Sequence, residues 1–226
     1  MSRARTSPAS PVAVLGAAMR GAPCTVHGYT ELPHRLPMTR WASPADARDR
    51  ALLHRCAGPV LDIGCGPGRM SEHLAHRGVA VLGIDVVPEA VAQTRARGAS
   101  ALHRDVFDRL PGEGRWTCAL LADGNIGIGG DPGHLLLRTA RLLRPGGTVL
   151  VEVDGAPDLL WRGSVQLRTA VGAGPVVPWA CAGADAVDRL GATHGLRRTA
   201  CYRGGRSFVE LTAPGPVTVP GVAAAG

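Results

Sequence analysis

Residues 60–70 read Val60-Leu-Asp-Ile-Gly-Cys-Gly-Pro-Gly-Arg-Met70, and this stretch decides the fold. The apolar run Pro59 to Ile63, bounded by Gly58 and a glycine cluster, has the length and composition of a buried strand. Gly64, Gly66 and Gly68 then let the chain turn sharply and bring bare backbone against a ligand. A helix is expected next, from Met70 to Arg77, stopped by Gly78. The spacing is GxGxG with Pro67 inside it, whereas a dinucleotide fingerprint is GxGxxG. Asp62, on the strand before the loop, would repel a pyrophosphate. It suits a cation, or a loop oriented by hydrogen bonds.

Outward from this loop the chain alternates. Val79 to Ile84 reads as a second strand, Pro88 to Arg97 as a helix ended by Gly98, and Ala101 to His103 as a short strand. Trp116 to Leu121 is a fourth strand. A helix over Leu135 to Leu143 ends at Arg144-Pro-Gly-Gly147, and Thr148 to Val153 is a fifth strand. Apolar strands alternating with helices require a parallel sheet covered on both faces. Upstream, Ala45 to Cys56 reads as a helix with Ser43 as N-cap and Pro44 in its first turn. Downstream, Ala182 to His194 reads as a helix. Arg197 to Tyr202 and Arg206 to Leu211 read as a hairpin joined by Gly204-Gly205. The Pro/Gly-interrupted stretch 155–179, with Trp161 and Trp179, receives no assignment.

Four carboxylates each end a successive strand or belong to its loop. Asp85 lies 21 positions after Gly64, close to the roughly 20 expected of an acid that holds a ribose diol. Asp105 can accept from an adenine amino group, with Val106 or Phe107 against the ring. Asp123, in Leu-Ala-Asp123-Gly-Asn125, ends the fourth strand. The carboxyl ends of strands are where open α/β sheets bind ligands. One shared site explains all four positions better than four coincidences.

At 226 residues the chain suits one domain, or two at most, and can bury a core without staples. It is 45% hydrophobic and 19% charged, which fits a globular protein rather than a disordered one. Its formal charge is +7, and all 25 basic residues are Arg, so the basicity is in part the codon bias of a GC-rich genome. With two Phe and two Tyr, stacking platforms for bases are scarce. Six scattered cysteines, without a CxxC or zinc-finger spacing, fit buried thiols in a reducing cytosol. Residues 1–25 read as a flexible arm rather than a signal peptide, because Pro11 and Gly16 interrupt the apolar stretch and Arg20 follows it. Residues 213–226 read as a disordered tail, which leaves 26–212 as the folded domain.

The motifs VLDIGCGPGRM, GIDVVPEAV, HRDVFD, LLADGNIGIGGDP and LLRPGGTVLVEVD resemble those of the class I S-adenosylmethionine-dependent methyltransferases over about residues 45–154. The resemblance implies a Rossmann-like, doubly wound α/β fold. Its seven-stranded sheet would be mostly parallel with an antiparallel last strand, which suits the terminal hairpin. It implies that Asp62, Gly64, Cys65, Gly66 and Gly68 meet the methionine half of S-adenosyl-L-methionine. Asp85 with Val86 would take the ribose, Asp105 with Val106 the adenine, and Asp123 would join them. Arg40 and Arg69 are candidates for the cofactor carboxylate.

Methyl transfer from a sulfonium is an in-line displacement whose main requirement is positioning. A base is needed only for an acceptor that must lose a proton. Candidates are His34, Asp123, Asn125, His134, Glu152 and Asp154. Tyr29, Trp41, Asn125 and Trp161 are candidates for contacting the acceptor. No Asn/Asp-Pro-Pro-aromatic motif follows Asp123, and no Pro-Cys nucleophile is there, which argues against base methylation in nucleic acids. The expected function is cytoplasmic, metal-independent methylation of a small molecule, in secondary metabolism. The alternatives are an RNA or protein methyltransferase, or an S-adenosylmethionine-binding protein without turnover.

Overall fold

The computed structural model describes residues 10–215; residues 1–9 and 216–226, most of the expected arm tip and tail, lie outside it. In chain order, α1 (Pro11–Met19) is followed by β1 (Thr25–His27), β2 (His34–Arg35), α2 (Met38–Ala42) and α3 (Ala47–Leu53). The central unit is β3 (Val60–Ile63), α4 (Arg69–His76), β4 (Val81–Asp85), α5 (Pro88–Ala96), β5 (Ser100–His103) and β6 (Trp116–Leu121). A 3-10 segment, Asn125–Gly130, leads to α6 (Pro132–Leu142) and β7 (Leu143–Val153). Then come β8 (Leu160–Thr169), β9 (Gly172–Ala182), α7 (Ala184–Ala192), β10 (Arg197–Arg203) and β11 (Ser207–Thr212).

Seven strands form one sheet in the order β10-β11-β7-β6-β3-β4-β5. Strands β3 to β7 run parallel to their neighbours, and β11 alone is antiparallel, wedged between β7 and β10. This is the parallel sheet expected from the strand–helix alternation, in the Rossmann-like, doubly wound form with an antiparallel last strand that the family resemblance implies. Side chains of a strand point alternately to its two faces, and the buried residues divide accordingly. Leu61, Ala119, Leu121, Val149, Val151 and Val209 face one core, under α6 and α7. Val60, Cys118, Leu120, Leu150 and Phe208 face the other, under α3 and α4. Fully burying a side chain such as Leu120 or Leu135 is worth about 1.5–3 kcal/mol, so both faces contribute to stability.

Several expectations need correction. The first core helix begins later than Ser43: Asp46 is its N-cap, accepting from the Arg48 and Asp49 amides at 2.8 Å each. Asp49 returns a carboxylate to the Asp46 amide at 3.2 Å, closing a capping box. Pro44 sits in the break between α2 and α3. Helix α6 starts at Pro132, because the Asp131 side chain caps the Gly133 amide at 2.9 Å. The C-terminal tail is tied down at its start, where the Ala213 amide donates to Gly147 O at 2.8 Å.

The stretch without an assignment is the long hairpin β8–β9, which pairs with β1 and β2 in a second sheet of order β2-β1-β8-β9. The expected flexible arm is helical from Pro11, and Val14 and Ala18 pack with Cys24, Val26, Val165 and Leu167 into a third core beneath this sheet. Helix α1 is also fastened to α5, through an Arg20–Glu89 ion pair and a 2.9 Å bond from Gln93 Nε2 to Met19 O. Among the described residues, no helix is long and apolar enough to cross a membrane. All six cysteines are free thiols, and Cys201 alone is exposed.

Candidate active site

A cavity of about 520 Å³ lies at the carboxyl ends of β3, β4, β6 and β7, with α1 and the four-stranded sheet closing its other side. Its floor begins at the glycine loop. The Gly64 and Cys65 amides both donate to Ile84 O, at 2.9 and 3.0 Å, which folds the loop over the end of β4. Thr94 Oγ1 donates to Gly66 O at 3.0 Å, and Asn125 Nδ2 to Gly64 O at 2.9 Å.

The three glycines are required for different reasons. All have positive φ (70°, 54° and 90°). A Cβ on Gly64 would lie 2.6 Å from Asn125 Nδ2, and one on Gly68 would lie 2.5 Å from Thr94 Oγ1. A Cβ on Gly66 would meet no atom within 4 Å. Gly64 and Gly68 therefore serve packing, while Gly66 faces open space that a side chain would fill. That open cradle beside the amide-rich start of α4 fits a ligand approaching bare backbone.

Asp85 stands at its edge. One carboxylate oxygen accepts from the Gly66 amide at 3.0 Å and the other from the Val87 amide at 2.8 Å. Each oxygen keeps lone-pair capacity toward the cavity. Burial pushes its pKa up, and those two amides resist the shift. Asp62 is more deeply buried: Ser71 donates to it at 2.7 Å, and desolvation raises it to about 6. Through Ser71 it ties the end of β3 to the first turn of α4, beside the loop. Asp105 lines the cavity while capping the Phe107 amide at 2.9 Å, with Val106 buried beside it. Of the sequence-derived cofactor positions, only Gly68 does not line the cavity.

Asp123 lines the cavity between two guanidiniums. Arg69 donates to both of its carboxylate oxygens, at 2.8 and 2.9 Å, and Arg206 reaches one of them at 2.9 Å. Arg69 Nε also binds Asp49 at 3.0 Å, and Arg206 pairs with Asp49 and Glu152. Burial raises the Asp123 pKa, and the Arg69 and Arg206 guanidiniums counter part of that rise. Its backbone is left-handed at φ 55°, with its amide on Glu152. So Asp123 lines the cavity with its oxygens already engaged, and Arg69 is an internal cation with no free face for a cofactor carboxylate. Asn125 is similarly occupied, donating to Ile63 O and Gly64 O.

At the opposite end, Tyr29 meets His34 edge-on at 6.0 Å and Trp161 at 4.8 Å. Tyr29, His34 and Trp41 line the cavity, but Trp161 does not: it stands behind Tyr29. The wall that sequence reasoning missed is Trp179 and Cys181 of β9, with Val165 and Leu167 of β8. His134 stacks on Phe107, ring centroids 4.7 Å apart, outside the cavity lining. Burial and a hydrogen bond with Cys181 push the Tyr29 hydroxyl to about 12, so it stays protonated at neutral pH.

Residues 60–147 match the family described as a methyltransferase domain. Over 160 residues the chain is 31% identical to the ubiquinone biosynthesis O-methyltransferase of Pseudomonas aeruginosa, covering 60% of this chain and 68% of that one. The chain belongs to the class I S-adenosylmethionine-dependent methyltransferases. This family member is also 32% identical over 98 residues to trans-aconitate 2-methyltransferase of Mycobacterium tuberculosis, spanning 37% of that relative's length and 42% of its own. Its fold is similar to that of an S-adenosylmethionine-dependent methyltransferase from Bacteroides fragilis in complex with S-adenosyl-L-homocysteine. The TM-score is 0.76 at 18% identity, over 94% of this chain and 100% of that one.

Proposed function

We propose that the chain binds S-adenosyl-L-methionine across the Gly66 cradle and methylates a small molecule held under the four-stranded sheet. The observation that carries this reading is the continuity of the cavity, from Asp85 and Val106 at one end to Tyr29 and Trp179 at the other. Its volume falls within the roughly 300–1,000 Å³ of typical small-ligand pockets. The four-stranded roof favours a compact acceptor over a duplex or a folded protein surface. The cytoplasm and secondary metabolism are the setting that fits.

Asp85 receives the ribose hydroxyls, and Asp105 with Val106 receives the adenine. The Gly64–Gly66 backbone lies along the methionine chain. When bound, the cofactor supplies a methyl group on a sulfonium, already carrying a good leaving group. The residues of this chain orient the acceptor in line and exclude water. The transfer is metal-independent in this reading, because the Asp123 oxygens that could join Asp154 around Mg²⁺ are engaged by Arg69 and Arg206.

Incubation with methyl-labelled S-adenosylmethionine and a fractionated cell extract tests the reading. Label is expected in the small-molecule fraction. Label chiefly in RNA or in protein would replace the acceptor class, and cofactor binding without transfer would replace the activity.

A further inference from the structure

Six carboxylates line the cavity, and five of them have protein partners. Asp62 accepts from Ser71, Asp85 from the Gly66 and Val87 amides, and Asp105 from the Phe107 amide. Asp123 is held by Arg69 and Arg206, and Glu152 by Arg206 and the Asp123 amide. Asp154 is the sixth. Among the described residues its carboxylate accepts no hydrogen bond, and it faces the cavity from the end of β7. Its backbone amide donates to Ala182 O at 3.1 Å, which fixes it at the seam between β7 and the end of β9.

We propose that Asp154 is the residue that receives the acceptor's nucleophilic atom, and that the acceptor is an amine: a compact, largely apolar molecule with a primary or secondary aliphatic amino group. This rests on the methyl-transfer reading above. An unpaired carboxylate attracts an ammonium and repels a carboxylate or phenolate acceptor. The cavity it shares includes aromatic and aliphatic walls, with Tyr29 and Trp179 on the roof side. Aromatic faces hold cations as well as apolar surface. Among the described residues Arg206 is the cation felt at this carboxylate, and its donors are already engaged by Glu152, Asp123 and Asp49.

The chemistry closes with the groups present. An alkylammonium titrates near pH ~10, so at neutral pH its lone pair is blocked by a proton. Asp154 takes that proton. The nitrogen lone pair then forms the new C–N bond while the C–S bond breaks and its electron pair stays on sulfur. The products are a methylated ammonium and S-adenosylhomocysteine, and Asp154 returns its proton to solvent through the cavity mouth. The groups that act on Asp154 are Glu152 on its own strand, Arg206 from the terminal hairpin, and Tyr29 and Cys181 from the roof sheet. His34 and Arg35 line the cavity from β2. Desolvation and the Glu152 charge push the Asp154 carboxyl up, against the pull of Arg206. That shift improves it as a proton acceptor.

The test uses the full chain saturated with S-adenosylhomocysteine and titrated by tryptophan fluorescence. The probes are benzylamine, 2-phenylethylamine and cyclohexylamine, each against its alcohol, with phenylacetate as the acidic control. At least one amine is expected to bind about tenfold or more tightly than its alcohol, and Asp154→Asn is expected to remove that preference. Asp154→Glu should restore part of it, and S-adenosylhomocysteine affinity should be the same in all three proteins. Labelled transfer to the bound amine should fall with the Asn variant in parallel. Equal binding of alcohols, tighter binding of phenylacetate, failure of every amine to bind, or an unaffected Asn variant would each overturn the proposal. A wild-type chain that does not bind S-adenosylhomocysteine fails at the loading step, before any amine is added, and removes the methyl-transfer reading beneath it.

Discussion

Arg69 grips Asp123 with two parallel N–H···O bonds, of 2.8 and 2.9 Å, and so joins the start of α4 to the end of β6 across the base of the cavity. The Arg69 side chain is only 4% exposed, and its remaining donors reach Asp49. Removing one partner of a buried pair leaves the other charge uncompensated, which costs about 3–5 kcal/mol. Arg69→Met is therefore expected to lower the unfolding free energy, read from urea denaturation, by that much. Adding Arg206→Met should cost less than the sum of the two single changes, because both cations share Asp49 and Asp123. Unchanged stability in the single variant would mean that the pair contributes nothing to the fold.

The glycine loop yields a contrast between neighbours. Gly66→Ala is expected to fold, at about 1–2 kcal/mol for a left-handed alanine, and to lose cofactor binding as its methyl group enters the open cradle. Gly68→Ala should instead destabilise the protein by more than that, because its Cβ would lie 2.7 Å from Thr94 Cα, a backbone atom that cannot swing away. Thermal melts and binding titrations on both variants separate the roles. Normal binding by Gly66→Ala would make the loop a turn and nothing more.

Gly127 seats the roof on the core. A Cβ there would lie 2.6 Å from Trp179 Nε1 and clash with Ala180 O. Gly127→Ala is expected to displace β9 and to weaken acceptor binding about tenfold or more, with a smaller loss of cofactor binding. Cofactor and acceptor titrations read the two effects separately. Equal loss of both would mean that the roof and the glycine loop move as one unit.

Asp62 sets a pH dependence. Its folded pKa of about 6 lies above the roughly 3.9 of an unfolded aspartate. Between those values the folded state holds the proton more tightly, so stability falls as pH rises from about 4 to about 6 and levels off above. Asp85, Asp123 and Asp154 shift in the same direction and add to the slope. Asp62→Asn removes one share of it. The melting temperature of the variant minus that of the wild type should climb by a few degrees from pH ~4 to ~7, for a difference of about 1–3 kcal/mol. A flat difference would place the Asp62 titration elsewhere.

The sheet was readable because its signals are local. Val60 to Ile63 is an apolar run stopped by glycine, and Asp85 follows at a fixed spacing, so both could be placed without any distant partner. The Asp49–Arg69–Asp123–Arg206 cluster was not, since its members lie 20 to 157 positions apart and any of 25 arginines could have filled either cationic role. The β8–β9 hairpin was hidden by Gly163, Gly174, Pro175 and Pro178. Beneath those interruptions Val165 and Leu167 alternate inward, as do Val177, Trp179 and Cys181. Helix α1 reads as an arm in sequence because it packs chiefly on that hairpin and on α5, far along the chain. A cavity roofed by an unassigned segment could not reveal that, among the described carboxylates lining it, Asp154 is the one that accepts no hydrogen bond.

Calorimetric titration of S-adenosylhomocysteine into the wild-type chain and Asp85→Ala tests the central claim most directly. The wild type is expected to bind one equivalent. The variant loses the charged acceptor at the ribose, worth about 1.5–3 kcal/mol, so its affinity should fall roughly tenfold to 150-fold. A wild-type chain that gives no heat, or a folded Asp85→Ala variant that binds as tightly as the wild type, would contradict the account.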